Sequence, residues 1–449
     1  MDIIGMLGLI ASLVLLIYLT MKGINIIIAA ILSSVVVAVT GGLNLETAIT
    51  ENYMEGFTGY FASWFLVFLL GAIFGKIMQE TKSAESIAQW IKNTFGAKRA
   101  VFAVVAAAAI MTYGGVSLFV VGFAVYPIAV SLFRTADLPH RFIPAALVFG
   151  SVSFTMTSPG SPEIQNIIPT EFFGTTPTAG GIIGVLIGLS IMVSGGLWLG
   201  RMVRKASADG ETFMLPSEAA AGKNETASAV EARTEENLDP EAQALPNIIV
   251  SVLPLVLVIV LLNILGQFMN PTTALLIALT LGIFLACTMM YKFLIEFWGS
   301  LAAGTQNALV ALANTCAVVG FGSVAAQVSA FDSLVDGLVN MPGPPLLSLA
   351  VGVTLICGLT GSASGGLGIA LPILAPLYMA QGLNPGEMHR VAALASGGMD
   401  SLPHNGYVVT TIRAICGESH KRAYKPVFIL SVLIPLAAMF LAVIVYSIF

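Results

Sequence analysis

Long apolar runs interrupted by short polar stretches dominate this chain. A helix needs about 20 apolar residues to cross a bilayer. By that measure we predict ten membrane spans, at 2–20, 24–41, 61–79, 142–171, 181–200, 247–266, 272–291, 304–323, 391–415 and 426–447. The spans at 142–171 and 391–415 are interrupted by glycine, proline and polar residues. Two further apolar stretches, 100–133 and 346–380, are too long for one span and too short for two. We therefore predict that each is a re-entrant hairpin.

The composition supports a membrane protein and excludes several other classes. Apolar residues make up 57% of the 449 residues and charged residues only 10%, whereas soluble chains carry about 25% charge. Mean hydropathy is +0.92. A secreted domain, a DNA-binding protein and a conventional cytosolic enzyme are therefore excluded. The four cysteines stand singly in apolar sequence, which favours packing roles. We expect no cofactor, no bound metal and no nucleic-acid partner.

Basic residues predict the orientation, because cytoplasmic loops carry an excess of lysine and arginine. With ten spans and two hairpins, seventeen basic residues fall on one side, Arg390 alone falls on the other, and Arg413 lies near an inner helix end. The chain is then a multi-pass protein with both termini outside. Residues 204–246, rich in Ala, Ser and Glu, are predicted to form a flexible cytoplasmic linker between 1–203 and 247–449.

The two halves repeat each other at a constant offset of 247 positions. The matched pairs are Phe74 with Phe321, Gly114 with Gly361, Ser117 with Ser364 and Gly150 with Gly397. Because each half has five spans, an odd number, the second half must insert upside down. The predicted fold is all-α, with inverted repeats and interfacial segments at 45–58 and 293–303. Inverted repeats with broken helices are typical of secondary transporters whose site lies near the midplane.

Four polar stretches break the apolar pattern at membrane depth. They are YGGVS (113–117) and LTGSASGG (359–366) at the hairpin tips, and TSPGSPEIQN (157–166) and DSLPHNG (400–406) in the broken spans. Non-helical backbone at this depth is buried in protein or lines a wet cavity. The alternative is a set of kinks that relieve helix packing. The predicted substrate-binding residues are Gly114, Gly115, Ser117, Thr157, Ser158, Gly160, Gln165, Asn166, Ser362, Ser364, Gly365 and Asn405.

Ionisable residues within spans are candidates for ion coupling, because a charge at the bilayer centre costs about 2.5–3.5 kcal/mol on insertion scales. Glu163, Asp400 and His404 lie in the breaks, and histidine titrates in a range that suits proton coupling. The alternatives are carboxylates that cap half-helices and a neutral histidine bonded to backbone. Every basic residue except Arg413 is assigned to loops or membrane edges. We therefore expect the two tips and the two breaks to meet near the midplane around one small anion. Neutral donors and half-helix dipoles would hold its carboxylate.

Several segments resemble the gluconate permease family of the ion transporter superfamily: YGGVSLFVVGFAVYPIA, TSPGSPEIQN, ASGGMDSLPHNG and ICGESHKRAYK. The resemblance covers nearly the whole chain. It implies a proton-coupled inner-membrane transporter of small hydroxy-carboxylates. It also implies a homodimer with scaffold and transport domains and an elevator-type movement. TSPGSPEIQN differs from the sugar-acid members, so a 3-hydroxybutyrate-like substrate is an alternative to a gluconate-like one. Sodium coupling and an uncoupled facilitator are alternative mechanisms.

Overall fold

The computed structural model describes residues 3–22, 24–216 and 245–448, and its regular structure within them is helical. Most of the predicted linker, 217–244, lies outside the described residues. Its first part is described and differs from the prediction. Helix Gly181–Ala208 continues five residues into the predicted linker, because Ala and charged residues sustain a helix beyond the apolar span.

The same order of helices occurs in both halves of the chain. The first half contains Ile3–Met21, Ile26–Thr40, Met54–Glu80, Ser83–Phe95, Ala100–Tyr113, Leu118–Thr135, Ile143–Val148, Ile164–Phe173 and Gly181–Ala208. The second half contains Ile248–Leu265, Pro271–Met289, Phe297–Ala325, Ser329–Val339, Pro345–Thr360, Ala363–Ala380, Pro385–Ser396, Gly406–Val409, His420–Phe428 and Ile434–Ile448. Short π-helical turns precede Met54, follow Val148 and Val409, and join the last two helices.

The all-helical prediction is confirmed. Eight helices among the described residues are long and apolar enough to cross a membrane. Two of the eight, Leu118–Thr135 and Ala363–Ala380, are the second arms of the predicted hairpins. The shorter apolar helices Ile4–Thr20 and Ile26–Thr40 lie where two further spans are predicted. Re-entry of each hairpin within the membrane stays a prediction, as do the insertion of the second half upside down and the orientation of the whole chain.

The predicted interfacial segment 45–58 does not form a separate element. Helical structure runs continuously from Leu45 to Glu80, over 36 residues. It begins at Asn44, whose side-chain oxygen accepts a hydrogen bond from the backbone nitrogen of Thr47. This cap satisfies an otherwise free backbone donor. Polar residues therefore extend the helix beyond the apolar run that marked the span. Similarly, the second long helix begins at Phe297, within the predicted segment 293–303.

Two long helices, Met54–Glu80 and Phe297–Ala325, pack together along the middle of the molecule; we call them the central pair. Glycines allow the close approach. A side chain at Gly304 would lie 2.9 Å from the Cα of Ile73, and one at Gly320 would lie 2.8 Å from a backbone oxygen of Tyr53. The second helix of each half, Ile26–Thr40 or Pro271–Met289, packs against this pair. Both hairpins contact this pair, through helices Leu118–Thr135 and Ala363–Ala380.

The helices stop at the four predicted breaks. Tyr113 and Leu118 bound the first hairpin tip, and Thr360 and Ala363 bound the second. We call the non-helical segments 154–163 and 397–405 the first and second breaks. Each hairpin packs its two arms together and contacts the amphipathic helix that precedes it, Ser83–Phe95 or Ser329–Val339. The breaks are mostly buried in protein, as expected for non-helical backbone in a membrane protein.

Candidate functional site

The second hairpin tip lies directly against the second break. The side-chain amide of Asn405 donates to the carbonyl oxygen of Gly361 at 3.1 Å. The ring of His404 packs so closely on Gly361 that an added Cβ would lie 2.4 Å from it, and Gly361 has a φ of 61°. Only glycine fits this position without strain. The second tip and the second break are therefore in direct contact.

The same tip presents hydroxyl groups toward the central pair. Ser362 begins helix Ala363–Ala380, and its side-chain oxygen accepts a hydrogen bond from the backbone nitrogen of Gly365 at 3.2 Å. The Ser362 and Ser364 hydroxyl oxygens are 3.4 Å apart. Tyr60 of the central pair donates its hydroxyl proton to the carbonyl oxygen of Ser364 at 3.4 Å. Serine hydroxyls and the start of a helix thus meet at the boundary between hairpin and central pair.

The first tip pairs with the first break in a comparable way. A Cβ at Gly115, where φ is 89°, would lie 3.4 Å from the ring of Pro162. Tyr113 donates its hydroxyl proton to the carbonyl oxygen of Pro159 at 2.6 Å, and Asn263 donates to the carbonyl oxygen of Gly160 at 2.9 Å. A side chain at Gly114 would collide with Leu255, 2.8 Å away. Each tip is therefore anchored to the break of its own half.

The two tips contact the first helix of the central pair at different depths. Ser117 packs against Gly75, with its Cβ 3.3 Å from a Cβ placed there, whereas Ser364 bonds to Tyr60. Fifteen residues of α-helix separate these contact points, which is about 22 Å. A site in which both tips surround one small anion stays a prediction.

Arg390 overturns the expectation that no basic residue is near the breaks. It is fully buried and reaches from helix Pro385–Ser396 into the first break. Its guanidinium donates to the carbonyl oxygen of Thr157, to the side-chain oxygen of Asn166 at 2.9 Å, and twice to the carbonyl oxygen of Ala179, at 3.0 and 2.8 Å. Carbonyl dipoles therefore solvate this buried charge. The prediction was wrong because Arg390 precedes the apolar run and was placed in a loop.

Asn166, predicted to bind substrate, has its side chain fully used by protein. Its amide nitrogen donates to the carbonyl oxygens of Ser161 at 2.8 Å and Pro177 at 2.9 Å. Its oxygen accepts from Arg390 and lies 3.2 Å from a ring nitrogen of His389. An amide has two donors and one acceptor oxygen with two lone pairs, so all four hydrogen-bonding positions of the Asn166 side chain are occupied by protein groups. This residue therefore supports the break rather than offering free hydrogen bonds.

The remaining predicted residues of the first break differ in environment. Gln165 is 8% exposed, and its side-chain oxygen has no hydrogen-bond partner among the described residues. Ser158 donates to the carbonyl oxygen of Phe154 and lines an apolar groove of about 430 Å³ beside helix Gly181–Ala208. Gln165 thus keeps an acceptor for a ligand, whereas the hydroxyl proton of Ser158 is already donated to protein.

The three predicted coupling residues lie where the sequence places them, in the breaks. Glu163 directly precedes helix Ile164–Phe173, but its side chain does not cap it. Asp400 is 4% exposed and accepts a hydrogen bond from the Ser401 hydroxyl at 2.9 Å. His404 is buried against Gly361. No cluster of three potential metal ligands occurs in the part of the chain that the structure describes.

The sequence reading did not identify Tyr60 or the His389–Arg390 pair. Tyr60 is one aromatic residue among many in an apolar span, so no pattern distinguished it. Arg390 did carry a signal, because it is the single basic residue on its predicted side. A charge that departs from the positive-inside bias marks a residue with a specific partner.

The fold defines the class of protein. It is similar to the crystal structure of the YdaH transporter of Alcanivorax borkumensis, with a TM-score of 0.55, 14% identity, and coverage of 99% of this chain and 98% of that chain. This likeness concerns the fold alone, which is that of an all-helical polytopic membrane protein.

Sequence comparison gives the family. Residues 3–401 match the GntP family permease. The chain is 36% identical over 461 residues to the transporter YxjC of Bacillus subtilis, covering 96% of this chain and 97% of the relative. It is 27% identical over 197 residues, 43% of each chain, to the Gnt-II system L-idonate transporter of Escherichia coli. The chain belongs to the GntP permease family, and it is a transporter rather than an enzyme.

Proposed function

We propose that this protein is a secondary active transporter that carries a small hydroxy-monocarboxylate together with protons. The observation that carries the proposal is the second tip, where Ser362 and Ser364 lie at the boundary between the hairpin and Tyr60 of the central pair. A substrate bound there would be released when the hairpin and central pair move relative to each other. The relative named for L-idonate transport, a sugar acid, supports a carboxylate substrate.

The second tip has the chemistry for an anion of one charge. Helix Ala363–Ala380 is 18 residues long and begins at this tip. Backbone N–H groups and the positive end of the helix dipole at a helix start attract negative charge. Serine hydroxyls add neutral donors that release a ligand more readily than a salt bridge does. Gln165 in the first break is the second proposed contact, because its unpaired acceptor suits a substrate hydroxyl.

We assign ion coupling to Glu163, Asp400 and His404. All three are titratable side chains beside half-helix ends, and two of them are almost completely buried. Proton coupling is favoured because His404 contacts the tip itself at Gly361, so that its charge and the tip conformation affect each other. Sodium coupling is the alternative, since hydroxyls and carbonyl oxygens at both tips are ligands that Na⁺ accepts.

The proposal includes an orientation and a movement. Residues 204–246 lie in the cytoplasm, and the hairpins and broken helices move as one domain against the central pair in an elevator-type cycle. The protein functions as a homodimer in the bacterial inner membrane. Labelling of a cysteine at position 215 from outside intact cells would contradict this orientation.

Transport into proteoliposomes tests the function. Labelled gluconate, idonate and 3-hydroxybutyrate are offered at fixed pH, then with an imposed pH gradient, then with Na⁺ replaced by K⁺. We expect accumulation of at least one acid above equilibrium when the outside is acidic, independent of Na⁺. Equal concentrations at the end point would establish a facilitator. Strict dependence on Na⁺ at constant pH would reassign the coupling ion.

A further inference from the structure

A second cluster of titratable residues lies away from the tips and breaks, where the chain leaves helix Gly181–Ala208. His140 and Glu418 are buried there, with side chains 0% and 1% exposed. The Nδ1 atom of His140 is 3.0 Å from the Oε1 atom of Glu418. Its Nε2 atom is 3.1 Å from the hydroxyl of Tyr126. His140 belongs to the first half and Glu418 to the second, so this contact joins the two repeats.

This arrangement accommodates a proton without moving heavy atoms. A neutral His140 that donates through Nδ1 accepts at Nε2 from the Tyr126 hydroxyl, and a protonated His140 donates to the same oxygen. With one proton to share the pair is electrically neutral, whichever residue carries the charge. Without that proton the pair has a net charge of −1. The Oε2 atom of Glu418 is buried without a hydrogen-bond partner in the described part of the chain and lies 3.8 Å from the half-exposed Arg422 guanidinium, so the charged state is poorly solvated.

A segment of the main chain covers the pair. We call residues 211–216 the strap. The backbone N–H of Phe213 donates to the side chain of Asp137 at 2.9 Å. The Phe213 ring lies 5.4 Å from the Arg134 guanidinium and packs edge-on against the His140 ring at 5.9 Å. The strap thus closes the pair off on one side.

The strap is fixed at both ends. Glu211 forms two hydrogen bonds of 2.7 Å with Arg141. These bonds lower the pKa of Glu211. The ion pair with Arg141 is therefore intact at any pH above the usual glutamate pKa, and it is lost only when the pH falls through the lowered pKa. At the other end Pro216 packs beside Gly417, where a Cβ would be 3.7 Å from it. Glu211 therefore does not change charge near neutral pH.

Other charged and titratable side chains surround the pair and the strap. Arg422 approaches Glu418 at 3.8 Å but is 42% exposed, so water screens its charge. Tyr126, Cys416 and Arg422 face the pair itself. The groups that instead contact the strap or belong to it are Arg134, Asp137, Arg141 and Glu211. His420, two residues beyond Glu418, instead contacts Arg413 and Tyr424.

We propose that His140 and Glu418 form a one-proton site and that the strap is its removable cover. The covered state holds the proton because burial disfavours a net charge of −1, and the uncovered state releases it to water. By thermodynamic linkage, loss of the proton favours opening of the strap, and opening of the strap favours loss of the proton. On the proposed orientation the site faces the cytoplasm, so the strap reports the pH of that side. The pair is distinct from the coupling residues in the breaks.

Hydrogen exchange of the strap tests this without any substrate. The exchange rate of the Phe213 amide, corrected for its intrinsic rate at each pH, is measured in the purified full-length protein at pH 6 and pH 8. We expect protection of the Phe213 amide to be about tenfold lower at pH 8 than at pH 6. Linkage to one proton limits the change over two pH units to about a hundredfold. Glu418→Gln cannot carry the net charge of −1, so the loss of protection at pH 8 should be absent in this variant.

Three further variants make the result specific. His140→Gln cannot share a proton, so its strap should be weakly protected at both pH values, and it replaces Glu418→Gln if that variant fails to fold. Thr212→Ala, an exposed strap residue, and His420→Gln, a second histidine at this edge, should behave like the wild type. Protection independent of pH in the wild type would overturn the proposal. Unchanged pH dependence in the folded Glu418→Gln or His140→Gln variant would do so too.

Discussion

Replacing Arg390 by methionine removes a buried charge while keeping most of the aliphatic stem. The stem packs beside Gly180 and Gly184, where an added Cβ would lie 2.5 Å and 3.1 Å from Arg390 atoms. Methionine retains this packing but none of the hydrogen bonds. We expect the first break to lose its connection to helix Pro385–Ser396.

The magnitude follows from which acceptors lose their donor. Asn166 keeps a contact with His389 at 3.2 Å. The carbonyl oxygen of Pro177 keeps hydrogen bonds from Gly160 at 2.8 Å and Asn166 at 2.9 Å. The carbonyl oxygens of Thr157 and Ala179 lose their Arg390 donors. Thr157 is buried, whereas Ala179 is only half-buried. An unpaired buried acceptor costs about 1–3 kcal/mol and one that water reaches costs less, so Arg390→Met should lower the free energy of unfolding by about 2–4 kcal/mol.

Thermal unfolding of the purified protein in detergent measures the effect. For a chain of 449 residues, 1 kcal/mol shifts the midpoint by about 1 °C. We expect the midpoint of Arg390→Met to fall by about 2–4 °C, and that of Arg390→Lys to fall less, since the ammonium keeps the charge and part of the hydrogen bonding. Arg201→Met is the matched control, because Arg201 is exposed on helix Gly181–Ala208. If Arg390→Met unfolds at the same temperature as this control, the buried network does not stabilise the break.

Three further substitutions separate substrate binding from stability. Ser364→Ala should reduce uptake at least tenfold, about 1.4 kcal/mol, with an unchanged unfolding midpoint. The control is Ser63→Ala, which changes an exposed serine bonded within its own helix. Wild-type uptake by Ser364→Ala would show that the tip is not part of the substrate site. Asn405→Ala should lower both uptake and the midpoint, because Asn405 holds Gly361 and caps the next helix; an unchanged midpoint would contradict this. Tyr60→Phe loses only a 3.4 Å hydrogen bond, so uptake should fall less than threefold, and complete loss would indicate direct substrate contact.

The sequence by itself determined the class, the helical elements and the position of the breaks. These depend on local properties. Lipid cannot hydrogen-bond to the backbone, so an apolar run long enough to span the membrane satisfies its own N–H and C=O groups by forming a helix. Clusters of glycine, proline and serine interrupt that helix. Phe74 and Phe321, at the predicted repeat offset, do lie on corresponding long helices. The interfacial segment 45–58 was misjudged, because polar capping at Asn44 continues a helix that hydropathy alone ends earlier.

Only the tertiary structure decided which polar residues are already used and which remain available. Asn166 and Gln165 are neighbours with the same kind of side chain, yet the first has every hydrogen bond filled and the second has an unpaired oxygen. Arg390 lies more than 200 residues from the carbonyls it binds, and His140 is equally far from Glu418. Hydrogen-bond partners are set by packing between helices, and a single sequence records the residues but not the distances between them.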